Sequence, residues 1–215
     1  MDSNPASVKV YAARLLIVAE LKGINAELAR LNIQESRNPD SALEKKAEKG
    51  LLRKSDIQNF RYTQPAKNSN IARLDFIYQG AMEAPKRLGS GEERYQLGVM
   101  LRQTNQCNLL YVMIRLGDEP TVVVQEKLNP GQSTHAQCQN HGYSTIASKL
   151  KTKLPEIKRG EQHLLVAEIK EEELEVSLDK RVVWQGKLNT KIQSGENIGF
   201  RSDNVKVDFD LTDVK

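Results

Sequence analysis

One stretch constrains this chain more than any other: Val205-Lys206-Val207-Asp208-Phe209-Asp210-Leu211. Apolar residues occupy every second position and charged residues stand between them. Successive side chains of an extended chain point to opposite faces, so this run is a strand with one face on a core and the other in water. Leu174, Val176 and Leu178 repeat the alternation. Leu74 to Tyr78, Tyr95 to Arg102, Leu109 to Leu116, Thr121 to Lys127, Gln162 to Ile169 and Val182 to Trp184 also read as strands. Gly117-Asp118-Glu119-Pro120 and Asp179-Lys180 are turn formers between them. Short strands at intervals of roughly 8–12 residues, separated by polar turns, predict an antiparallel β-sandwich over residues 69–215.

Residues 1–68 have a different character. Ile17, Leu21, Ile24, Leu28 and Leu31 fall on one stripe of a helix spanning Val8 to Leu31. Asn38-Pro39-Asp40 breaks it, and a shorter helix follows from about Ser41 to Lys49, with Ser41 and Glu44 placed as a capping box. A third turn is expected at Arg53 to Asn59, and Tyr62 to Asn70, with Pro65, reads as a linker. The apolar stripe is either an amphipathic lid or a homo-oligomer seam through the helix at 8–31. The apolar run Leu15–Ala19 is far too short to cross a bilayer, and its flanks do not have a signal-peptide layout.

Charge excludes one class of partner. The net charge is +4, but residues 1–70 carry 12 Lys/Arg against 8 Asp/Glu, while residues 71–215 carry 20 of each. A neutral sandwich lacks the basic stripe of a nucleic-acid binder, and none is expected as a partner.

The order of the later elements carries a resemblance. Leu109–Arg115 is followed by a hairpin return, then by Gly160–Val166, by Leu174-Glu175-Val176-Ser177-Leu178-Asp179, and by Ile198-Gly199-Phe200-Arg201-Ser202-Asp203-Asn204-Val205-Lys206-Val207. This pattern resembles the C-terminal half of the concanavalin-A-like lectin/glucanase (laminin-G-like) jelly rolls. The resemblance implies a mainly β jelly roll over about residues 71–215, preceded by the helical segment. Such folds serve lectins, receptor-binding modules, glycoside hydrolases and polysaccharide lyases, so fold alone does not choose.

The chain does not show those enzymes' catalytic patterns. Hydrolysis needs two carboxylates facing one cleft. The nearest candidate, Glu168-Ile169-Lys170-Glu171-Glu172-Glu173-Leu174-Glu175, has the wrong spacing and lies over a bend. Gln162-His163 is adjacent rather than spaced as the lyase resemblance implies. Asp208 and Asp210 read as the solvent side of their strand. His135 and His141 flank Cys138 with zinc-like spacing, but no second cluster completes a site, and no metal or cofactor is expected.

Cys107 and Cys138 lie in polar surroundings (Thr104-Asn105-Gln106; Gln137, Gln139, Asn140), unlike core thiols, so a disulfide is expected. It would pin the polar loop Asn129–Tyr143, whose amides, imidazoles and ring suit sugar hydroxyls. The expected ligand contacts are His135, Asn140, His141, Tyr143, Trp184 and Arg201, with Tyr111 as a further ring for stacking. The sequence reading is a non-enzymatic binding or structural module of the cell envelope or exterior, periplasmic or extracellular, whose partner is a carbohydrate or an envelope protein. The alternative is a carbohydrate-active enzyme. A thiol count under denaturing, non-reducing conditions should return zero; two thiols would remove both the disulfide and the argument for export.

Overall fold

The computed structural model describes residues 52–150, 152–188 and 195–213, so the two expected helices and their apolar stripe lie outside the described residues. The strands are β1 (Arg53–Ser55), β2 (Asn59–Pro65), β3 (Ile71–Ala81), β4 (Gln96–Gln103), β5 (Leu109–Arg115), β6 (Thr121–Lys127), β7 (Tyr143–Ile146), β8 (Gln162–Lys170), β9 (Glu173–Leu178), β10 (Arg181–Lys187), β11 (Asn197–Asp203) and β12 (Val205–Thr212). They form two antiparallel sheets of six, ordered β1-β12-β3-β8-β9-β10 (sheet A) and β2-β11-β4-β5-β6-β7 (sheet B).

The alternation that opened the sequence reading sets how the sheets meet. Val205, Val207, Phe209 and Leu211 of β12 are buried, while Lys206, Asp208 and Asp210 are not. Their core partners from sheet A are Leu74 and Phe76 of β3, Leu165 and Ala167 of β8, and Leu174, Val176 and Leu178 of β9. Sheet B meets them with Leu97, Val99 and Leu101 of β4, Leu110, Val112 and Ile114 of β5, and Ile198 and Phe200 of β11. The tightest link is aromatic. Phe200 of sheet B stacks on Phe209 of sheet A with ring centroids 4.0 Å apart, and Phe60 and Tyr62 of β2 lie within 6 Å of Phe209.

The last crossing, from β11 of sheet B to β12 of sheet A, takes a single residue, Asn204, fully buried with φ at 57°. Asparagine tolerates this left-handed conformation better than most residues. Its groups are all used. Its N–H donates to the Gln58 carbonyl and its own carbonyl accepts from Met82. Its side-chain oxygen accepts from the Lys86 N–H, and its side-chain nitrogen donates to the Lys86 and Arg94 carbonyls. The corner therefore also anchors the β3–β4 loop.

Two expectations are corrected. Arg53 to Asn59 is not a helical turn and Tyr62 to Asn70 is not simply a linker: β1 and β2 arise there, ahead of the boundary drawn at 69. Phe60 and Tyr62 alternate with Arg61 and Thr63, and the core accepts both rings. Pro65 ends an edge strand, where its missing N–H breaks no ladder. Replacing Phe209 by Ala should destabilise the fold by about 3–5 kcal/mol in denaturant titration, as for large aromatic truncations in a core; a loss under 1 kcal/mol would show that this ring does not hold the sheets together.

Candidate functional site

The face of sheet B turned away from the core is where polar chemistry gathers. Because Phe200, Val112 and Leu101 face inward, their strand neighbours Arg201, Tyr111 and Met100 face outward. Cross-strand register then fixes rows on this face. One row runs Arg61–Arg201–Gly98–Met113, the next Thr63–Gly199–Met100–Tyr111–Gln125–Thr145, and a third joins Leu109, Lys127 and Tyr143. Residues 140 apart in sequence thus become neighbours. Gly98 is required where it stands: an added Cβ would strike the Val112 carbonyl of β5.

Tyr111 lies at the centre and is buried. Its ring stacks on Tyr143, with centroids 6.0 Å apart, and Arg201 sits over it with Cζ 5.1 Å from its centroid. The Lys127 ammonium lies 5.1 Å from the Tyr143 centroid, and Lys127 Nζ donates to the Gln139 carbonyl at 2.9 Å. Lys127 is only 1% exposed, which is rare for this residue. Arg201 is paired with Asp203. Its Nη2 donates to Oδ1 at 3.3 Å, while its Nε lies 2.9 Å from Oδ2 without hydrogen-bond alignment. Asp203 also accepts from Gln96 Nε2 at 2.6 Å, so this carboxylate is fully engaged.

The cations leave their mark on the ionisable groups. Burial alone would push the Tyr111 phenol up, but Arg61, Arg201 and Lys127, with a hydrogen bond from Tyr143, bring it below its ordinary value of 10.0. Tyr143 goes the other way: burial, then the neighbouring Tyr111, push it up to about 12. Burial lowers Lys127, and burial followed by Lys127, Arg61 and Arg201 lowers His135. For Arg201, burial is outweighed by Asp203, Tyr111 and Tyr143, and the net direction is up.

The loop between β6 and β7 forms one rim. The Cys107–Cys138 disulfide pins it to the β4–β5 turn, with the two Cα atoms 5.8 Å apart. Cys138 is therefore neither a zinc ligand nor a nucleophile, and no metal-binding group of His, Cys, Asp and Glu exists among the described residues. Many of the loop's amides are spent on its own shape. Asn129 Nδ2 donates to the Cys107 and His141 carbonyls, Asn108 Nδ2 to the Gln132 carbonyl, and Gln137 Oε1 accepts from the Ser133 and Thr134 N–H groups. His135, Asn140 and His141 remain exposed on the rim. Asn140 touches the tip of the β3–β4 loop, where a Cβ added to Gly89 would lie 2.6 Å from its Nδ2. That loop leaves from the end of the face marked by Asp203 and Gln96, whereas the disulfide-pinned loop leaves from the end marked by Leu109 and Lys127. Their contact spans the face between.

Of the expected site residues, the structure gathers His135, Tyr143 and Arg201 and sets Asn140 and His141 on the rim. Trp184 is not brought to them. It is buried on β10 of sheet A and lines a separate cleft of about 420 Å³ with Pro120, Leu150 and Val183. Arg61, Lys127, Gln96 and Asp203 were absent from the sequence-derived set; their shared signal is outward position on strands, which becomes legible only with the register.

No protein-family model matches the chain, and no curated protein matches it. Among solved structures, it is similar to the carbohydrate binding module CBM66 from Bacillus subtilis, with a TM-score of 0.50 and 14% identity over 80% of this chain and 91% of that one. It is also similar to a tetrameric galectin from the ball sponge Cinachyrella sp., with a TM-score of 0.45 and 9% identity over 72% of this chain and 99% of that one. The fold is the mainly β sandwich of two antiparallel sheets that the element order implied, and it is similar to that of the carbohydrate binding module.

The tyrosine pair offers a direct check. Tyr111 ionises more readily in the fold than in the unfolded chain, so its contribution to stability is present above pH 10.0 and is lost as pH falls through the lowered value. Tyr143 has the opposite sense: the fold prefers its neutral phenol and loses stability as pH rises from 10.0 through about 12. Ultraviolet titration should show one tyrosine ionising early, and Y143F should move that step upward by removing its hydrogen bond. An early step that survives in Y111F would belong to another residue.

Proposed function

We propose that this chain is a carbohydrate-binding module of the cell exterior or periplasm, and that it holds a glycan on the outward face of sheet B between the β3–β4 and β6–β7 loops. The observation that carries this reading is the stacked Tyr111–Tyr143 pair beside Arg201 and Lys127. Aromatic rings offer apolar faces to the C–H side of a sugar, while charged and amide donors meet its hydroxyls. Tyr143 is the exposed member, at 36%, so it is the ring a ligand meets first. The disulfide fits an oxidising compartment. The pinned loop gives a rim that need not be ordered on binding, which reduces the entropic cost of association.

A second reading rests on Tyr111. A phenol whose ionisation is favoured by Arg61, Arg201 and Lys127 could serve as a general base toward a bound sugar. Its depth beneath Tyr143 speaks for binding first. New reducing or unsaturated ends released from polysaccharide, and abolished in Y111F, would establish the enzymatic reading.

A glycan array probed with the full chain should show a defined set of bound glycans, and Y143A should weaken binding by about tenfold, equivalent to about 1.4 kcal/mol. Binding that is unchanged in Y143A would move the site off this face.

A further inference from the structure

The outward face of sheet B carries an electrostatic imbalance that a neutral sugar does not need. Arg61 and Arg201 are direct cross-strand partners, and like charges so placed repel. Lys127 is buried close by, at an energetic cost that a surface position would avoid. The one carboxylate at an outward position is Asp203, on a further row Asn59–Asp203–Gln96–Arg115, and it is already engaged by Arg201 and Gln96. Among the described residues no acid pairs with Arg61 or Lys127.

The rims do not redress the imbalance. Residues 128–142 contain no Asp, Glu, Lys or Arg, and the β3–β4 loop over 82–95 balances Glu83, Glu92 and Glu93 against Lys86, Arg87 and Arg94. Arg61, Arg201, Lys127 and Arg115, which shares the row of Asp203, set against one carboxylate leave the floor with a net charge of +3. The donors are also unsaturated. Among the described residues Lys127 Nζ has three hydrogens and one carbonyl partner, Arg201 donates to Asp203 through Nη2 while its Nε has no hydrogen-bond partner, and Arg61 is exposed.

We propose that the glycan this face selects is acidic, and that an anionic group on one of its sugars, a carboxylate or a sulfate, is held among Arg61, Arg201 and Lys127 while the sugar ring lies against Tyr143. The proposal rests on the glycan-binding reading above and adds its ligand class. Guanidinium groups present parallel N–H donors that match a carboxylate or sulfate edge, and Lys127 adds a point charge from below. The anion would also relieve the repulsion between the two arginines.

The test is calorimetric titration of the full chain with oligogalacturonate, with a sulfated chondroitin oligosaccharide, and with neutral cello-, galacto- and fructo-oligosaccharides. An acidic member should bind at least tenfold more tightly than every neutral one, and affinity should fall as salt rises. The first two arms distinguish carboxylate from sulfate. Arg61 is exposed on an edge strand, so R61Q should fold normally and lose about tenfold or more in affinity for the acidic ligand. R181Q, on the opposite sheet, should lose none. Neutral oligosaccharides binding as tightly, with R61Q without effect, would overturn the acidic selection and leave the glycan site standing. Binding to no member of the panel would overturn both.

Discussion

The structure depends on a crossing that takes one residue. β11 belongs to sheet B and β12 to sheet A, and only Asn204 lies between them. So short a connection requires the two strands to leave the corner on facing layers, which brings Phe200 and Phe209 into contact across the core. Once these rings are stacked, the separation and relative slide of the sheets are fixed, and the remaining core residues fill a space already defined. The same residue holds the β3–β4 loop through Lys86 and Arg94, so the corner links the core to the rim of the binding face.

That linkage explains why the site can be built from distant parts of the chain. Arg201 lies one residue beyond Phe200, and Lys127 sits beside the inward-facing part of β6, so packing the core on one side aims the cations on the other. The opposite sheet is close to charge balance at its outward positions. Asp75, Asp208, Asp210, Glu168, Glu173 and Glu175 stand against Lys54, Arg73, Lys170, Lys187 and Lys206, and Asp75 opposes Asp210 directly. The outward face of sheet B is therefore the more positive side of the sandwich, and this orients an approaching anion toward it.

Much of the sandwich was legible in the sequence because a half-buried strand writes its own period. Val205–Leu211 and Leu174–Leu178 named their inward residues correctly, and the polar flanks of Cys107 and Cys138 foretold the disulfide. β1 and β2 escaped because they are short edge strands beside Pro65 and a Lys-Asn-Ser-Asn run, where turn chemistry masks Phe60 and Tyr62. The site was only half legible. The loop 129–143 was conspicuous, but its amides serve backbone groups more than a ligand, which spacing could not reveal. Arg61 and Lys127 carry no local signature, since their meaning comes from register with residues far along the chain. Trp184 was placed among the expected ligand contacts as a ring able to stack on a sugar, yet its neighbours Val182 and Val183 already placed it in a strand that the core could claim.

The strand order has a consequence for how the protein comes into being. β12 lies between β1 and β3, and β11 lies between β2 and β4. Both sheets therefore keep a vacant lane in their interior until residues 197–212 have left the ribosome. Before then β3 and β4 expose unpaired edges, the kind of surface that invites pairing with another chain. The nascent sandwich is thus a clasp whose tongue is made last, and the interval before it closes is when the chain most needs to be kept from its neighbours.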